Sequence, residues 1–287
     1  MKINVAFAFD GKLWLQSAVS IYSLSLHTGD DRYNIYCLID TSVHNAMCDV
    51  IRNVVKHNRR IKIHFLRFDA DILKNNCYDD GTARFPRVAM ARLFLPNMLP
   101  HQKKILWLDS DIIVCDNLSG LYKTNLTGNF IAAIRDTGMD EVIKMYPKEF
   151  KHYDEYGLTE MVQRCEYVNS GVLLMNLREM RAYGWTERCL ERISSEKRNI
   201  WYFDQDVINS VSRGHIKYVS PRYNRMTKIN LQNAVSAYQR AGLPTESIID
   251  GFFDCAILHY AGTQKPWRHE GPYWDVWTAY GQLSGLF

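Results

Sequence analysis

Lys104-Ile105-Leu106-Trp107-Leu108-Asp109-Ser110-Asp111-Ile112-Ile113-Val114 is an apolar run interrupted once, by an acidic triplet. Residues 104–108 carry the apolar and aromatic side chains of a buried strand, which places the triplet at a strand's carboxyl end. Working outward, the preceding segments alternate in type. Ile3–Phe9, Tyr33–Ile39 and Ile61–Leu66 are β-rich runs. Leu13–Leu26, Val43–Val55 and Val88–Leu95 carry apolar residues at helical spacing, the last bounded by Pro86 and Pro96. Such alternation predicts an α/β fold with a mostly parallel sheet and helices on both faces. Ligands of these sheets bind beyond the carboxyl ends of the strands. Asp10, Asp109 and Asp111 each follow a predicted strand, so one rim is expected to carry all of them.

Beyond residue 115 the pattern is less regular. Phe130–Ile134 and Val172–Met175 read as strands, Trp185–Ile193 and Gln205–Val211 as helices, and 220–255 as long loops with short helices. Without a Gly/Ser or Pro-rich linker or a repeat, one continuous domain over 1–287 is expected. The composition, 47% hydrophobic and 23% charged, is that of a globular chain. A net charge of +4, with no basic run beyond Arg59-Arg60 and Lys103-Lys104, argues against nucleic acid and suits a phosphate-bearing substrate or an anionic membrane surface. The cysteines, at 37, 48, 77, 115, 165, 189 and 255, are odd in number and lack C-x-x-C spacing. That excludes a disulfide framework and a thiolate metal cluster, and points to a reducing, cytoplasmic setting. The opening MKINVAFAFDG is too short an apolar run for a secretory signal, and no stretch reaches the roughly 18 apolar residues of a membrane span.

Four short motifs carry candidate chemistry. In Asp109-Ser110-Asp111 the carboxylates, two apart in an extended chain, point the same way and repel unless a cation lies between them. A divalent ion so held can bind a diphosphate; the alternative is a surface turn or helix cap. His259-Tyr260-Ala261-Gly262-Thr263-Gln264-Lys265-Pro266-Trp267 offers a metal-ligating imidazole, a glycine that admits close backbone approach and a lysine for a phosphate. Taken alone it reads better as a core histidine before an ordinary loop. Tyr167–Val172 reads as a strand entering a tight glycine turn, with Asn169 able to bond a sugar hydroxyl. Phe203-Asp204-Gln205-Asp206 precedes a helix, with Asp204 as its possible N-cap. P-loop, G-x-G-x-x-G, H-E-x-x-H and G-x-S-x-G motifs are absent, which removes the commonest NTPase, oxidoreductase, metalloprotease and hydrolase readings.

In this order the motifs resemble glycosyltransferase family eight, which includes glycogenin and bacterial lipooligosaccharide galactosyl- and glucosyltransferases. The matching segments are Ala8–Asp10, Leu108–Ile113, Asn169–Asn176 and His259–Trp267, with Phe203–Asn209 as a further match. The resemblance implies a GT-A fold, a Rossmann-like mixed sheet with helices on both faces, whose nucleotide-binding half is about 1–115 and whose sugar and acceptor half is about 116–287. It implies a retaining transferase that moves a hexose, galactose or glucose, from a UDP-sugar to a glycan or glycolipid, a bacterial surface glycan such as lipopolysaccharide core being favoured. Asp109, Asp111 and His259 would bind Mn²⁺. Ala8 and Asp10 would lie near the uracil and ribose, Gly262 and Lys265 at the diphosphate. Arg92, Asn169, Asp204 and Gln205 would surround the sugar, with Asp136 at a further site position. Gly11 and Lys12 depart from the family, which often carries a second polar residue after Asp10.

Competing readings are a nucleotide-sugar hydrolase, a nucleotidyltransferase, or a non-catalytic carbohydrate-binding protein that uses its 17 tyrosines and 7 tryptophans for stacking. Tyr273, Trp274, Trp277 and Tyr280 fall near one helical face. Core packing is the favoured account of that stripe, and peripheral contact with the inner membrane surface the other.

Overall fold

A computed structural model of the chain describes residues 1–69, 87–148, 150–195 and 202–287; Cys77 and Pro86 lie outside them. Ten strands are present among the described residues: β1 Lys2–Phe9, β2 Arg32–Ile39, β3 Ile61–Arg67, β4 Ile105–Leu108, β5 Ile112–Val114, β6 Ile131–Arg135, β7 Val168–Met175, β8 Ile216–Tyr218, β9 Arg225–Met226 and β10 Ile257–His259. The seven-stranded sheet has the order β3-β2-β1-β4-β7-β6-β8. β1 is parallel to β2 and β4, and β2 to β3. Only β7 opposes its neighbours β4 and β6, so the sheet is mixed, as the family resemblance implies, and mostly parallel, as the alternation predicts.

β1 shows why its sequence is apolar without alternation. Ile3, Val5, Phe7 and Phe9 pack with Ala18, Ile21 and Leu24 of the helix Trp14–Leu26. Ala6 and Ala8 pack the other way, in the cluster of Leu93, Trp107 and Trp185. A strand covered on both faces has no solvent side to mark with polar residues, and each large side chain so buried contributes roughly 1.5–3 kcal/mol.

A second sheet, β5-β10-β9, bears His259 at the end of β10. Ile112–Val114 therefore starts a strand of its own beyond the acidic triplet, paired antiparallel with β10.

Four local expectations are corrected. Residues Arg87–Phe94 form a 3-10 helix, and Pro96 sits at the start of the helix Leu95–Met98 instead of bounding the segment; proline suits a first turn because its missing N–H has no partner there anyway. Gly171 lies within the continuous strand β7, not in a turn. Residues 220–255 hold the expected short helices, Leu231–Arg240 and Glu246–Phe253, but less loop than expected. The aromatic stripe divides: Trp277 is buried with Val19, Ile113 and Tyr260, whereas Tyr273 and Trp274 are exposed. No described helix is long and apolar enough to cross a membrane.

Candidate active site

The acidic triplet is aimed from behind. On the helix Trp14–Leu26, Ser17, Ser20 and Ser23 recur at every third position and are fully buried. Ser17 Oγ donates to Ser110 Oγ at 2.8 Å, and Ser110 Oγ to Ala8 O at 3.1 Å. Ser20 Oγ lies 2.8 Å from Ser110 O and 2.7 Å from Ile112 O, and Ser23 Oγ accepts from Val114 N at 2.9 Å. Ser110 lies in the turn between β4 and β5 and is held toward the helix, while the carboxylates on either side are held away from it by Arg92 and Lys265. Asp109 and Asp111 are thus turned to the rim together.

Each carboxylate is held by a cation. Asp109 Oδ1 accepts from Arg92 Nη2 at 2.8 Å and Trp107 Nε1 at 2.9 Å. Arg92 is only 3% exposed; it also donates to Ser170 O at 2.7 Å, pairs with Asp204 Oδ2 at 3.1 Å and lies 4.4 Å over the Trp107 ring. A buried guanidinium needs such compensation on every side. Burial raises the Asp204 carboxyl above its ordinary value, with Asp109 adding to the effect and Arg92 opposing it. Lys265 Nζ donates to Asp111 Oδ2 at 2.6 Å and Tyr260 O at 2.9 Å. Burial opposes ionisation of Asp111, but the Lys265 ammonium, with the His259 ring beside it, outweighs burial and holds the carboxyl well below the usual range.

His259 arrives from the second sheet. It pairs with Ile112 in the β5–β10 register, one residue from Asp111. Its Nε2 lies 3.4 Å from Asp111 Oδ1 and 4.0 Å from Asp109 Oδ2. One ligand atom from each of Asp109, Asp111 and His259 falls within 4.8 Å of the others. Two carboxylate oxygens and an imidazole nitrogen are a donor set suited to a divalent ion.

An amide cluster closes the other side. Gln205 Oε1 accepts from Asn169 Nδ2 at 3.0 Å and Ser170 N at 3.1 Å; its Nε2 is 3.4 Å from Asp136 Oδ2. Asp204 is the first residue of the helix Asp204–Ser212 and makes no N-cap bond; Phe203 precedes it with φ 44°. As helical spacing requires, Asp204 and Asp206 diverge: Asp204 meets Arg92, and Asp206 accepts from the Tyr153 and Tyr167 hydroxyls. Gly171 has no room for a side chain, since a Cβ would stand 2.3 Å from His259 Cε1.

Ala8 and Asp10 end β1 on the rim that Asp109 shares, and Asp10 Oδ1 accepts from Lys12 N and Leu13 N at 2.9 and 3.1 Å. A Cβ at Gly11 would meet Ser42 O at 2.7 Å, so a larger residue there requires the backbone to shift. Gly262, at φ 104°, adopts a conformation natural only to glycine. Sequence reasoning missed the serine column, whose signal is the spacing of three, and Asn224, which bonds both Asn169 and His259 from a stretch without periodicity.

The profile of glycosyl transferase family 8 matches residues 4–271. The chain belongs to this family. Among curated relatives of this family 8 protein, the lipopolysaccharide 1,2-glucosyltransferase of Escherichia coli K12 is 26% identical over 268 residues, 93% of this chain and 73% of that one. General stress protein A of Bacillus subtilis is 23% identical over 228 residues, 77% of this chain and 72% of that one. Among solved structures, galactosyltransferase LgtC with donor and acceptor sugar analogues superposes with a TM-score of 0.76 at 21% identity, covering 99% of this chain and 96% of that one. The bifunctional glycosyltransferase WbbM gives 0.77 at 20% identity, with 97% of this chain spanning 49% of the WbbM chain. The fold is GT-A. Membership makes the protein a glycosyltransferase, and implies a nucleotide-sugar donor and a glycan acceptor.

Proposed function

We propose that the protein transfers a hexose, galactose or glucose, from a UDP-sugar to a glycan or glycolipid with retention of configuration, in the cytoplasm, as a step in building a bacterial surface glycan such as lipopolysaccharide core. The observation that carries this is the convergence of Asp109, Asp111 and His259. These residues would hold Mn²⁺, because an imidazole among the ligands favours a transition metal over Mg²⁺, which prefers an all-oxygen shell. A bound ion supplies charge neutralisation for the departing diphosphate.

This chain's residues do the rest. Ala8 and Asp10 receive the nucleoside, and Gly262 and Lys265 the diphosphate. Arg92, Asn169, Asp136 and Asp204 orient the sugar around Gln205. An amide is a poor nucleophile, and the Gln205 oxygen already accepts two hydrogen bonds. Both points favour a front-face route over a covalent one: Gln205 steadies an oxocarbenium-like sugar, the acceptor enters on the side UDP leaves, and a UDP oxygen takes its proton. The strand pair β4–β7 joins 1–115 to 116–287, in keeping with the whole chain acting as one catalytic domain.

The test is a panel of UDP-sugars with Mn²⁺ or Mg²⁺, scored for UDP release, followed by the anomeric proton coupling of the product with a glycan acceptor. An α-linked hexoside formed best with Mn²⁺ is expected. Free sugar as the sole product, or a β-linkage, would overturn the assignment.

A further inference from the structure

The geometry points to Asn224 as the residue that sets the tautomer of His259 and ties it to Gln205 through an unbroken line of side-chain amides. The functional weight of this rests on the divalent-cation reading above.

The assignment starts from two groups that can only donate, the backbone N–H groups of Ser170 and Gly171. Ser170 N faces Gln205 Oε1 at 3.1 Å, and Gly171 N faces Asn169 Oδ1 at 2.9 Å. Both amides are thereby oriented. Asn169 then offers its NH₂ to Gln205 Oε1 at 3.0 Å and turns its oxygen to Asn224. That oxygen carries no hydrogen, so the Asn224 atom 2.9 Å away is the amide nitrogen. The remaining Asn224 atom, Oδ1, stands 2.8 Å from His259 Nδ1. It carries no hydrogen either, so the ring must donate. In neutral imidazole one nitrogen donates and the other accepts. Nε2 is left with its lone pair, and Nε2 is the atom that faces Asp111 and Asp109.

Burial makes the order strict. Asn224 is 2% exposed and His259 3%, and Asn169 and Gln205 are buried with them. Reversing the Asn224 amide would set two oxygens against each other and leave buried groups unpaired. A metal-ligating histidine is commonly oriented through its other ring N–H by a carboxylate, carbonyl or water; here the partner is an amide continuous with the residue assigned to the sugar. Asn224 is thus a positioning residue: it acts through His259, whose Nε2 it leaves free to ligate.

Long-range ¹H–¹⁵N correlation spectra of the metal-free full chain read this directly, with His259 identified by the signals that His259→Gln removes. The expected wild-type ring, at a pH where it is neutral, is protonated on Nδ1 and bare on Nε2. Asn224→Leu should give a mixed or Nε2-protonated ring and weaken Mn²⁺ binding, measured by calorimetry without nucleotide, about 10- to 100-fold. Asn224→Asp keeps an acceptor for Nδ1–H, so it should retain the tautomer and bind Mn²⁺ better than Asn224→Leu. A wild-type ring protonated on Nε2 overturns the assignment without any variant, whether or not the leucine protein folds. So does a folded Asn224→Leu with unchanged tautomer and affinity. Wild type that binds no Mn²⁺ yet shows the Nδ1–H ring would sink the cation reading and support the tautomer assignment.

Discussion

The two carboxylates of the site and the imidazole opposite them are held in different ways. Asp109 and Asp111 belong to one short segment between β4 and β5, backed by helix serines and anchored by Arg92 and Lys265. His259 and Gln205 come from segments far apart in the chain and are oriented by Asn169, Asn224 and two backbone N–H groups of β7. The first side is charge set by local chain direction. The second is neutral hydrogen bonding that exists only once distant segments have met. Loss of a carboxylate from the first should therefore remove function outright, and loss of an amide from the second should degrade it in steps.

The largest effect is expected on the charged side. Asp111→Ala removes a proposed ligand and leaves Lys265 without its partner. Metal-dependent turnover should fall roughly 1000-fold or more, the scale of losing several kcal/mol of charge stabilisation, and calorimetry should find no Mn²⁺-dependent UDP binding. Near-normal binding in a folded variant would break the contrast. Gln205→Ala, on the neutral side, should slow turnover by about 10- to 1000-fold, as for one lost stabilising dipole, with UDP affinity little changed. A folded but wholly inactive Gln205→Ala would instead favour a covalent route through that residue.

The same contrast explains what the sequence made legible. The strands ending at Phe9, Ile39 and Leu108 end where the apolar runs predict, and the acidic triplet stands at the expected rim, because burial on both faces writes a continuous local pattern. Asn169-Ser170-Gly171 resembles a turn in one dimension. Its glycine is small for a nonlocal reason, the approach of the His259 ring, and no window of sequence records that contact. Asn224 was missed on the same grounds: its value lies in two partners, 55 residues back and 35 ahead.

The serine column sharpens the comparison with a smaller effect. Ser20→Ala would leave Ser110 O and Ile112 O without their buried donor. The cost should be about 1–3 kcal/mol, a fall of about 2–4 °C in melting temperature for each kcal/mol at this chain length. If the column serves to aim the triplet, Mn²⁺ affinity should fall with the melting temperature. If it falls in stability alone, the serines are core packing and the two sides of the site are less different than proposed.

The smallest effect belongs to Lys265, the one residue that serves both states of the charged side. Its ammonium sits 2.6 Å from Asp111 Oδ2, an oxygen of a proposed ligand. It therefore opposes an incoming divalent ion, both by occupying that oxygen and by like charge. With a UDP-sugar present the diphosphate offers the ammonium a new partner, and the opposition is relieved. Lys265→Gln should consequently shift two affinities in opposite directions. Mn²⁺ binding without nucleotide should strengthen, by about fivefold at most, since a partly exposed ion pair is worth up to ~1 kcal/mol. UDP binding in saturating Mn²⁺ should weaken, because the phosphate loses a cation. Calorimetric titrations of the ion alone and of UDP with the ion separate the two. A fall in both would mean that Lys265 holds Asp111 in its ligating pose, and a rise in both would remove the lysine from the diphosphate. Only the crossed result fits a lysine that stands in for the ion and then yields to it.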